Sequence, residues 1–302
     1  MTRWPPAPSL SSTFYKGHGL GNDYLVFEEG DDWVAHQSAI IGVCDRHEGV
    51  GSDGIVVLLR ERSDGLFYSR MFNPDGSEFE RSGNGLRILA SYVTRSGVDG
   101  FSFLVSVGGH AVRLTVHGQH GPVYDVSVEM GRADVGPLAV GLDPEVLDAG
   151  GRMAGPGGGL WAPVPISVGN PHLVFFVESP TEHLLHDAGP FFSAHSALEH
   201  GANVQLARRL DRQTIEALIW ERGVGQTSAS GTSACAVAVA AVSEGLVPPG
   251  EIMVVMAGGR LSVTVSNALD AVLRGPVEEV CTGALTAPKL DTLNSLQRER
   301  TT

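Results

Sequence analysis

The chain has few cysteines and no long apolar runs. Its 302 residues include only three cysteines, Cys44, Cys235 and Cys281, and their spacing matches no common set of metal ligands. An odd cysteine count does not form a disulfide framework, so we expect a reducing compartment, the cytoplasm. No stretch approaches the roughly 20 apolar residues of a membrane-spanning helix. The Pro/Ser-rich start, residues 1–13, lacks the apolar core of a signal peptide.

Basic residues are also scarce. The chain carries 21 Lys and Arg against 34 Asp and Glu, for a formal net charge of −13. This charge disfavours nucleic acid and anionic membranes as partners.

The glycine run from Gly17 to Gly21 lacks the spacing of a dinucleotide loop and leads into a strand-like segment rather than a helix. The sequence therefore predicts neither a metal site nor a dinucleotide loop.

An internal repeat is the most informative feature that is present. Three pairs of short segments recur at nearly one spacing: Ser82-Gly83 and Ser230-Gly231, Gly21-Asn22 and Gly169-Asn170, and Gly108-Gly109 and Gly258-Gly259. The two serines lie 148 positions apart (230 − 82), as do the two asparagines, and the glycine pairs lie 150 apart (258 − 108). The offset predicts a duplicated domain with two equivalent helix starts.

The predicted fold is α+β, with two pseudo-symmetric halves. Each half is expected to be a curled, mainly antiparallel sheet around a central helix, one starting near Ser82 and the other near Ser230. Ala234 to Val242 has almost no polar face, so the second helix should be buried all round. The predicted organisation is a flexible tail (1–13), an N-terminal half (14–131), a C-terminal half (132–275), a return strand (276–286) and a second tail (287–302).

Motifs that carry chemistry occur along most of the chain, from Phe14 to about Ala284. They are Gly17-His18-Gly19-Leu20-Gly21-Asn22-Asp23, Cys44-Asp45-Arg46-His47 with Gly49 to Gly54, Phe72-Asn73-Pro74-Asp75-Gly76-Ser77, Ser82-Gly83-Asn84-Gly85, Gly169-Asn170-Pro171-His172, Ala202-Asn203-Val204, Glu221-Arg222-Gly223-Val224-Gly225 and Ser230-Gly231-Thr232. With these motifs in this order, the chain resembles diaminopimelate epimerase. The resemblance implies a cofactor-independent amino-acid epimerase of lysine biosynthesis that removes the α-proton on one face and delivers one on the other.

The resemblance implies two acid/base cysteines, one before each central helix, but both positions here are serine, Ser82 and Ser230. A thiol has a pKa of about 8.5, which a helix N-terminus lowers. A serine hydroxyl is far less acidic and needs a neighbouring base to take its proton. Each serine can also be simply a helix N-cap. An engineered pair of substitutions and a natural paralogue are both compatible with this sequence.

The binding positions of the family are kept. By resemblance, backbone N–H groups at Gly83, Asn84, Gly231 and Thr232 hold the α-carboxylate, and helix starts are suited to anions. Glu221 accepts from the α-ammonium, and His172 orients or relays protons near Ser230. By the same resemblance, Asn73, Asn170, Asn203 and Arg222 grip the distal end of the substrate, and Asn22 is another binding asparagine. The forked donors of arginine and the paired donor and acceptor of an amide suit a zwitterion.

Three functions stay open from the sequence. The first is an epimerase of the diaminopimelate type, with activity reduced by the two serines. The second is a proton-shift isomerase, as in phenazine biosynthesis, in which a carboxylate such as Glu221 is the lone acid/base. The third is an inactive binder of amino acids. The resemblance also leaves a homodimer open.

Overall fold

The computed structural model describes residues 6–63, 65–97 and 101–296 of the chain, without the side chains of residues 61–63. The strands are β1 Ser9–Gly19, β2 Asn22–Glu29, β3 Trp33–Val34, β4 Ile55–Ser63, β5 Leu66–Phe72, β6 Glu78–Phe79, β7 Ser102–Val107, β8 His110–His120, β9 Val123–Arg132, β10 Asp134–Val135, β11 Met153–Ala154, β12 Leu160–Trp161, β13 Val164–Ser167, β14 Pro171–Phe176, β15 Asn203–Arg209, β16 Thr214–Glu221, β17 Gly225–Thr227, β18 Gly250–Met256, β19 Gly259–Val265 and β20 Asp270–Ala284. The α-helices are α1 Gln37–Cys44, α2 Gly83–Arg95, α3 Glu182–Ser193, α4 Gly231–Ser243 and α5 Ala287–Ser295. Short 3-10 helices cover Pro137–Val140, Pro144–Val146 and Pro156–Gly158. None of the helices in this part of the chain is long and apolar enough to cross a membrane.

The chain divides into two compact units. The first contains Met1–Val128 and Pro276–Thr302, and the second contains Glu129–Gly275. The chain returns to the first unit along β20. Residues Glu278 to Ala284 of this strand pair antiparallel with residues His18 to Thr13 of β1. The earlier part of the same strand, Ala271 to Arg274, pairs with β19 of the second unit.

The two units have the same sheet topology. In the first, β1 pairs with β2, β2 lies parallel to β4, β4 pairs with β5, β5 lies parallel to β7, and β7 pairs with β8. In the second, β13, β14, β15, β16, β18 and β19 repeat that order and those directions. The register repeats too, because Met71 pairs with Phe79 and Ile219 pairs with Thr227, each 148 positions later. The predicted α+β fold with two pseudo-symmetric halves is confirmed.

Each sheet curls around a buried helix. Helix α2 packs against β1, β2, β4 and β8, and α4 packs against strands β13 to β16, β18 and β19. Every residue of α4 from Gly231 to Ala241 is buried, as its lack of a polar face predicts. Burial rather than helix propensity holds such a helix in place, because an isolated segment of 13 residues is marginal in water.

Each unit has a further apolar cluster. One includes residues of α1, and the other includes residues of α3. In the first unit, Phe27, Trp33 and Ile40 pack with Leu293 of α5. In the second unit, Phe175 and Phe192 stack with ring centroids 4.5 Å apart, and Trp161 packs edge-on against both. These clusters hold the connecting helices to the sheets that carry the site.

The terminal segments differ from the predicted tails at 1–13 and 287–302. Strand β1 begins at Ser9, and α5 covers Ala287–Ser295. Leu10 and Leu293 are fully buried, so apolar anchors order segments that look polar in composition. Residues 1–5 and 297–302 lie outside the described residues, and the predicted tails there stay predictions.

Three further features of the fold could not be predicted from the sequence. Helix α3 was not predicted, because Gly189 and Pro190 lie inside it. A Cβ at Gly189 would come within 2.6 Å of the Trp220 ring, so close packing requires the glycine. The segment 150–165, which is rich in Gly and Pro, contains the paired strands β11 and β12. The second hairpin turns at Ala257 and Gly258, since Gly259 already pairs with Met256.

Candidate functional site

Two serines cap the two central helices in the same way. The Ser82 hydroxyl accepts from the backbone N–H of Gly85 at 3.1 Å, at the start of α2. The Ser230 hydroxyl accepts from the backbone N–H of Ser233 at 3.4 Å, at the start of α4. Both caps have extended backbone, as N-caps do. The first turns of both helices therefore present N–H groups and the positive end of a helix dipole, an arrangement that favours a carboxylate.

Among the described residues, neither serine hydroxyl is hydrogen-bonded to a base of its own unit. Within the described residues of the first unit, the Ser82 hydroxyl bonds only the Gly85 N–H. In the second unit, the Ser230 hydroxyl bonds the Ser233 N–H and lies 3.5 Å from the Thr232 hydroxyl. A serine without a base partner is a weak acid/base group, because its hydroxyl stays protonated near neutral pH.

Two asparagines lie together beside Ser82. The Asn84 amide donates from Nδ2 to Oδ1 of Asn22 at 2.8 Å. Asn22 follows the β1–β2 turn, where Leu20 and Gly21 both have positive φ angles of 56° and 89°. A leucine in the left-handed region is unusual, and such strain is typical of functional sites. The predicted binding residues Gly83, Asn84 and Asn22 are thus brought together at the start of α2.

The second unit repeats this pair with a different partner. Asn170 and Thr232 stand 148 positions after Asn22 and Asn84, and the Asn170 amide donates to the Thr232 hydroxyl at 3.5 Å. Oδ1 of Asn170 in turn lies 2.9 Å from Nε2 of His172. The predicted residues Gly231, Thr232, Asn170 and His172 therefore surround the start of α4.

His172 is buried and neutral. Its Nδ1 accepts from the Gln205 amide at 3.1 Å, so Nε2 carries the proton and donates to Asn170. Burial is the main cause that lowers the pKa of His172 to about 3; the hydrogen bond with Gln205 opposes it in part, and the positive charge of Arg222 adds to it. Of the two predicted roles, orienting a neighbour and relaying protons, this environment favours the first.

Asn73 and Glu221 occupy equivalent positions, 148 residues apart, just beyond the end of β5 and at the end of β16. Nδ2 of Asn73 donates to the Ser77 hydroxyl at 3.0 Å across a tight turn. Oε1 of Glu221 accepts from the Thr227 hydroxyl at 3.2 Å. Both side chains are half-buried, which leaves part of each accessible to a ligand.

Asn203 and Arg222 lie together at the adjoining ends of β15 and β16. Oδ1 of Asn203 accepts from the backbone N–H of Arg222 at 3.0 Å. The Arg222 guanidinium is exposed and donates from Nη1 to the carbonyl oxygen of His200 at 2.7 Å. Its remaining donors suit a carboxylate.

The cysteines do not replace the serines as acid/base groups. Cys44 is buried, and burial raises the pKa of its thiol to about 11. Cys235 lies in the buried interior of α4, and Cys281 is exposed on β20. Among the described residues, no group of three His, Cys, Asp or Glu side chains is arranged to hold a metal ion.

Sequence reasoning did not identify three buried or half-buried polar residues of the site: Arg87, Asp53 and Gln205. Arg87 is fully buried and bonds Asn84, Asp53 bonds Asn22, and Gln205 bonds His172. The one available signal was Arg87, the only charged residue of this helix before its last position, Arg95.

Comparison with known proteins identifies the family. The family described as Diaminopimelate epimerase matches residues 14–135 and 164–280. The chain belongs to the diaminopimelate epimerase family. A protein named diaminopimelate epimerase from Cyanothece sp. is 34% identical over 293 residues, covering 91% of this chain and 100% of the relative. A second of that name from Geobacillus kaustophilus is 34% identical over 279 residues, covering 90% of this chain and 96% of the relative.

A solved structure shows the same fold. The structure of a predicted epimerase from Pseudomonas aeruginosa aligns with a TM-score of 0.68 and 21% sequence identity, covering 91% of this chain and 99% of that chain. At this identity the likeness concerns the fold. Membership of the diaminopimelate epimerase family makes the chain an isomerase by sequence, and its matched region includes both serine-capped helices.

Proposed function

We propose that the chain binds diaminopimelate, or a close 2-amino dicarboxylate, and epimerises its α-carbon slowly and without a cofactor. The observation that carries this proposal is the repeated cap: Ser82 beside Asn84 and Asn22, and Ser230 beside Thr232 and Asn170. The name of the curated relatives supplies the substrate class and a place in lysine biosynthesis. A cytoplasmic location and a homodimer belong to the same proposal.

The proposed chemistry uses what the helix starts offer. The N–H groups of the first turns bind the substrate's α-carboxylate and stabilise the charge that builds on it as the α-proton leaves. Glu221 accepts hydrogen bonds from the α-ammonium. One of Ser82 and Ser230 takes the α-proton, and the other delivers a proton to the opposite face of the carbon. The net change is inversion, with one proton removed and one added.

Serine at both positions limits the rate. Each hydroxyl is already an N-cap acceptor, and in the part of the chain that the structure describes it is not bonded to a carboxylate or imidazole of its own unit. The carboxylate grip does not depend on thiols, so binding is expected to persist while proton transfer is slow.

A second candidate is a proton-shift isomerase. Glu221 favours it, because this half-buried carboxylate is a titratable group at the site whereas both caps carry hydroxyls. In that case Glu221→Gln would abolish turnover, and Ser82→Ala with Ser230→Ala would leave it intact. In an epimerase, by contrast, Ser82→Ala with Ser230→Ala would abolish turnover.

Binding is tested by isothermal titration calorimetry with the LL and meso isomers. Arg222→Ala should weaken binding of either isomer by roughly 2 kcal/mol, the scale of a lost hydrogen bond to a charged group. Arg212→Ala, an exposed arginine of the same unit, is the control and should bind like the unchanged chain. Heat from neither isomer, or equal affinity in the two arginine variants, would count against the proposed binding role.

A further inference from the structure

We propose that Asp53 and Arg87 are positioning residues that fix the orientation of the Asn22 and Asn84 amides. The inference rests on the proposed function only in taking these two asparagines as part of the substrate site. Its physical basis is a chain of hydrogen bonds in the first unit that begins at a group able only to donate and ends at a group able only to accept.

Arg87 is the donor-only end. Its side chain is fully buried in α2, and a guanidinium has five N–H donors and no acceptor. Nη2 donates to Oδ1 of Asn84, and Nη1 donates to the carbonyl oxygen of Pro276 at 3.1 Å. Because Arg87 cannot accept, the Asn84 amide must turn its oxygen toward the guanidinium and its nitrogen away from it.

The two asparagines form the middle of the chain. With its orientation fixed, Asn84 donates from Nδ2 to Oδ1 of Asn22 at 2.8 Å and to the carbonyl oxygen of Gly19 at 3.4 Å. Asn22 must then present its oxygen to Asn84 and its nitrogen to the other side. The orientation of one amide therefore determines that of the next.

Asp53 is the acceptor-only end. Its Oδ2 accepts from Nδ2 of Asn22 at 3.0 Å and from the backbone N–H of Asp23 at 3.0 Å. Its Oδ1 accepts from Nη2 of Arg46 at 2.6 Å. An ionised carboxylate has no donor, so a reversed Asn22 would place oxygen against oxygen.

A set of ion pairs holds the Asp53 end in place. Arg46 bridges Asp53 and the buried Asp23, and Lys16 lies 2.9 Å from Asp23. Burial works against ionisation of Asp23, but the hydrogen bonds from Arg46 and Lys16 outweigh it and lower the pKa of Asp23. The Asp53 carboxylate is thus held by three hydrogen bonds, although part of it is exposed.

The order of bonds from Arg87 to Asp53 is therefore unique. Turning either amide would create a donor facing a donor, or an acceptor facing an acceptor, at one end of the chain. The second unit lacks these charged ends at the equivalent pair, where the neutral His172 faces Asn170 instead. The two helix starts are equivalent in shape but are held by different chemistry.

The test is the isosteric variant Asp53→Asn, with Asp31→Asn as the control. Asp31 is an exposed residue of the same unit in a surface ion pair with Arg60, so its variant removes the same charge. In Asp53→Asn, one end of the new amide must place a donor against either Arg46 or Asn22. We expect the affinity for diaminopimelate to fall about tenfold or more, on the scale of a lost charge-assisted bond, and to be unchanged in Asp31→Asn.

A ligand-free measurement separates positioning from general support. Side-chain amide resonances of Asn22 and Asn84 should both shift in Asp53→Asn, although the described bonds of Asn84 do not include one to residue 53. They should stay in place in Asp31→Asn, and thermal melting checks that both variants are folded. A shift of the Asn84 amide resonance supports the proposal even if the unchanged chain binds neither isomer. Failure to bind either isomer would refute only the proposed function. The positioning role would be overturned if Asp53→Asn left both amide resonances in place and, where the unchanged chain binds, had the same affinity as that chain.

Discussion

Replacing both serines by cysteine, Ser82→Cys with Ser230→Cys, is expected to raise α-proton exchange by about 10²- to 10⁴-fold or more. The reason is that a thiol ionises near pH 8.5 and lower still at a helix N-terminus, whereas a serine hydroxyl does not ionise in this range. The helix starts and the neighbouring asparagines are already in place, so the variant changes the acid/base groups alone. The measurement is loss of the α-proton NMR signal of diaminopimelate in deuterated water.

The matched control puts two thiols at the other ends of the same helices. Ser96 is the C-cap of α2, and Ser243 is the last residue of α4. A helix C-terminus disfavours a thiolate, so Ser96→Cys with Ser243→Cys should leave exchange at the level of the unchanged chain. If the unchanged chain already exchanges as fast as the variant with thiols at 82 and 230, the serines must be activated, and Glu221→Gln and His172→Gln would be the next variants.

Folding stability is expected to fall steeply as the pH drops from about 6.5 toward 3, with His172 as a main cause. The folded state holds His172 neutral with a pKa of about 3, while the unfolded chain takes up the proton near the ordinary value of 6.5. In this window the unfolded state binds more protons, so the free energy of unfolding decreases as the pH falls. The full effect is on the order of 5 kcal/mol, since each pKa unit corresponds to about 1.4 kcal/mol.

The His172 contribution is isolated by comparing two variants. His172→Leu should have a flatter stability curve in this window, measured by urea unfolding at several pH values. At neutral pH it should be less stable, because Asn170 and Gln205 lose their partner. His183→Leu, which removes a 91% exposed histidine of the same unit, should keep the slope of the unchanged chain. Equal slopes in the two leucine variants would show that His172 is not the titrating group.

The repeated part of the fold could be predicted from the sequence because the same motifs occur twice, 148 residues apart. The starts of α2 and α4 follow from Ser82-Gly83 and Ser230-Gly231, and both are buried as the small, apolar helical residues predict. Helix α3 could not be predicted because Gly189 and Pro190 argue against a helix locally. Packing against Trp220 favours the glycine there, and tertiary contacts outweigh weak local propensity.

Residues of the candidate site could be predicted only where they belong to short sequence motifs. Ser82, Asn84, Ser230 and Thr232 follow from their places at two helix starts, and their neighbours Asn22 and Asn170 share the 148-residue offset. The roles of Asp53 and Arg87 could not be read, because a charged residue in sequence does not reveal whether it is buried or which amide it faces. His172 was found as a residue, but its neutral state depends on burial that only the fold supplies.

The central proposal is that Ser82 and Ser230 are the two acid/base groups of the epimerisation, one for each face of the α-carbon. The most direct test is to make Ser82→Cys and Ser230→Cys separately and to follow α-proton loss from each stereoisomer in deuterated water. The account predicts complementary behaviour: each single variant exchanges the isomer whose proton faces its thiol, and neither epimerises as fast as the double variant. Exchange of the same isomer by both single variants would contradict the claim.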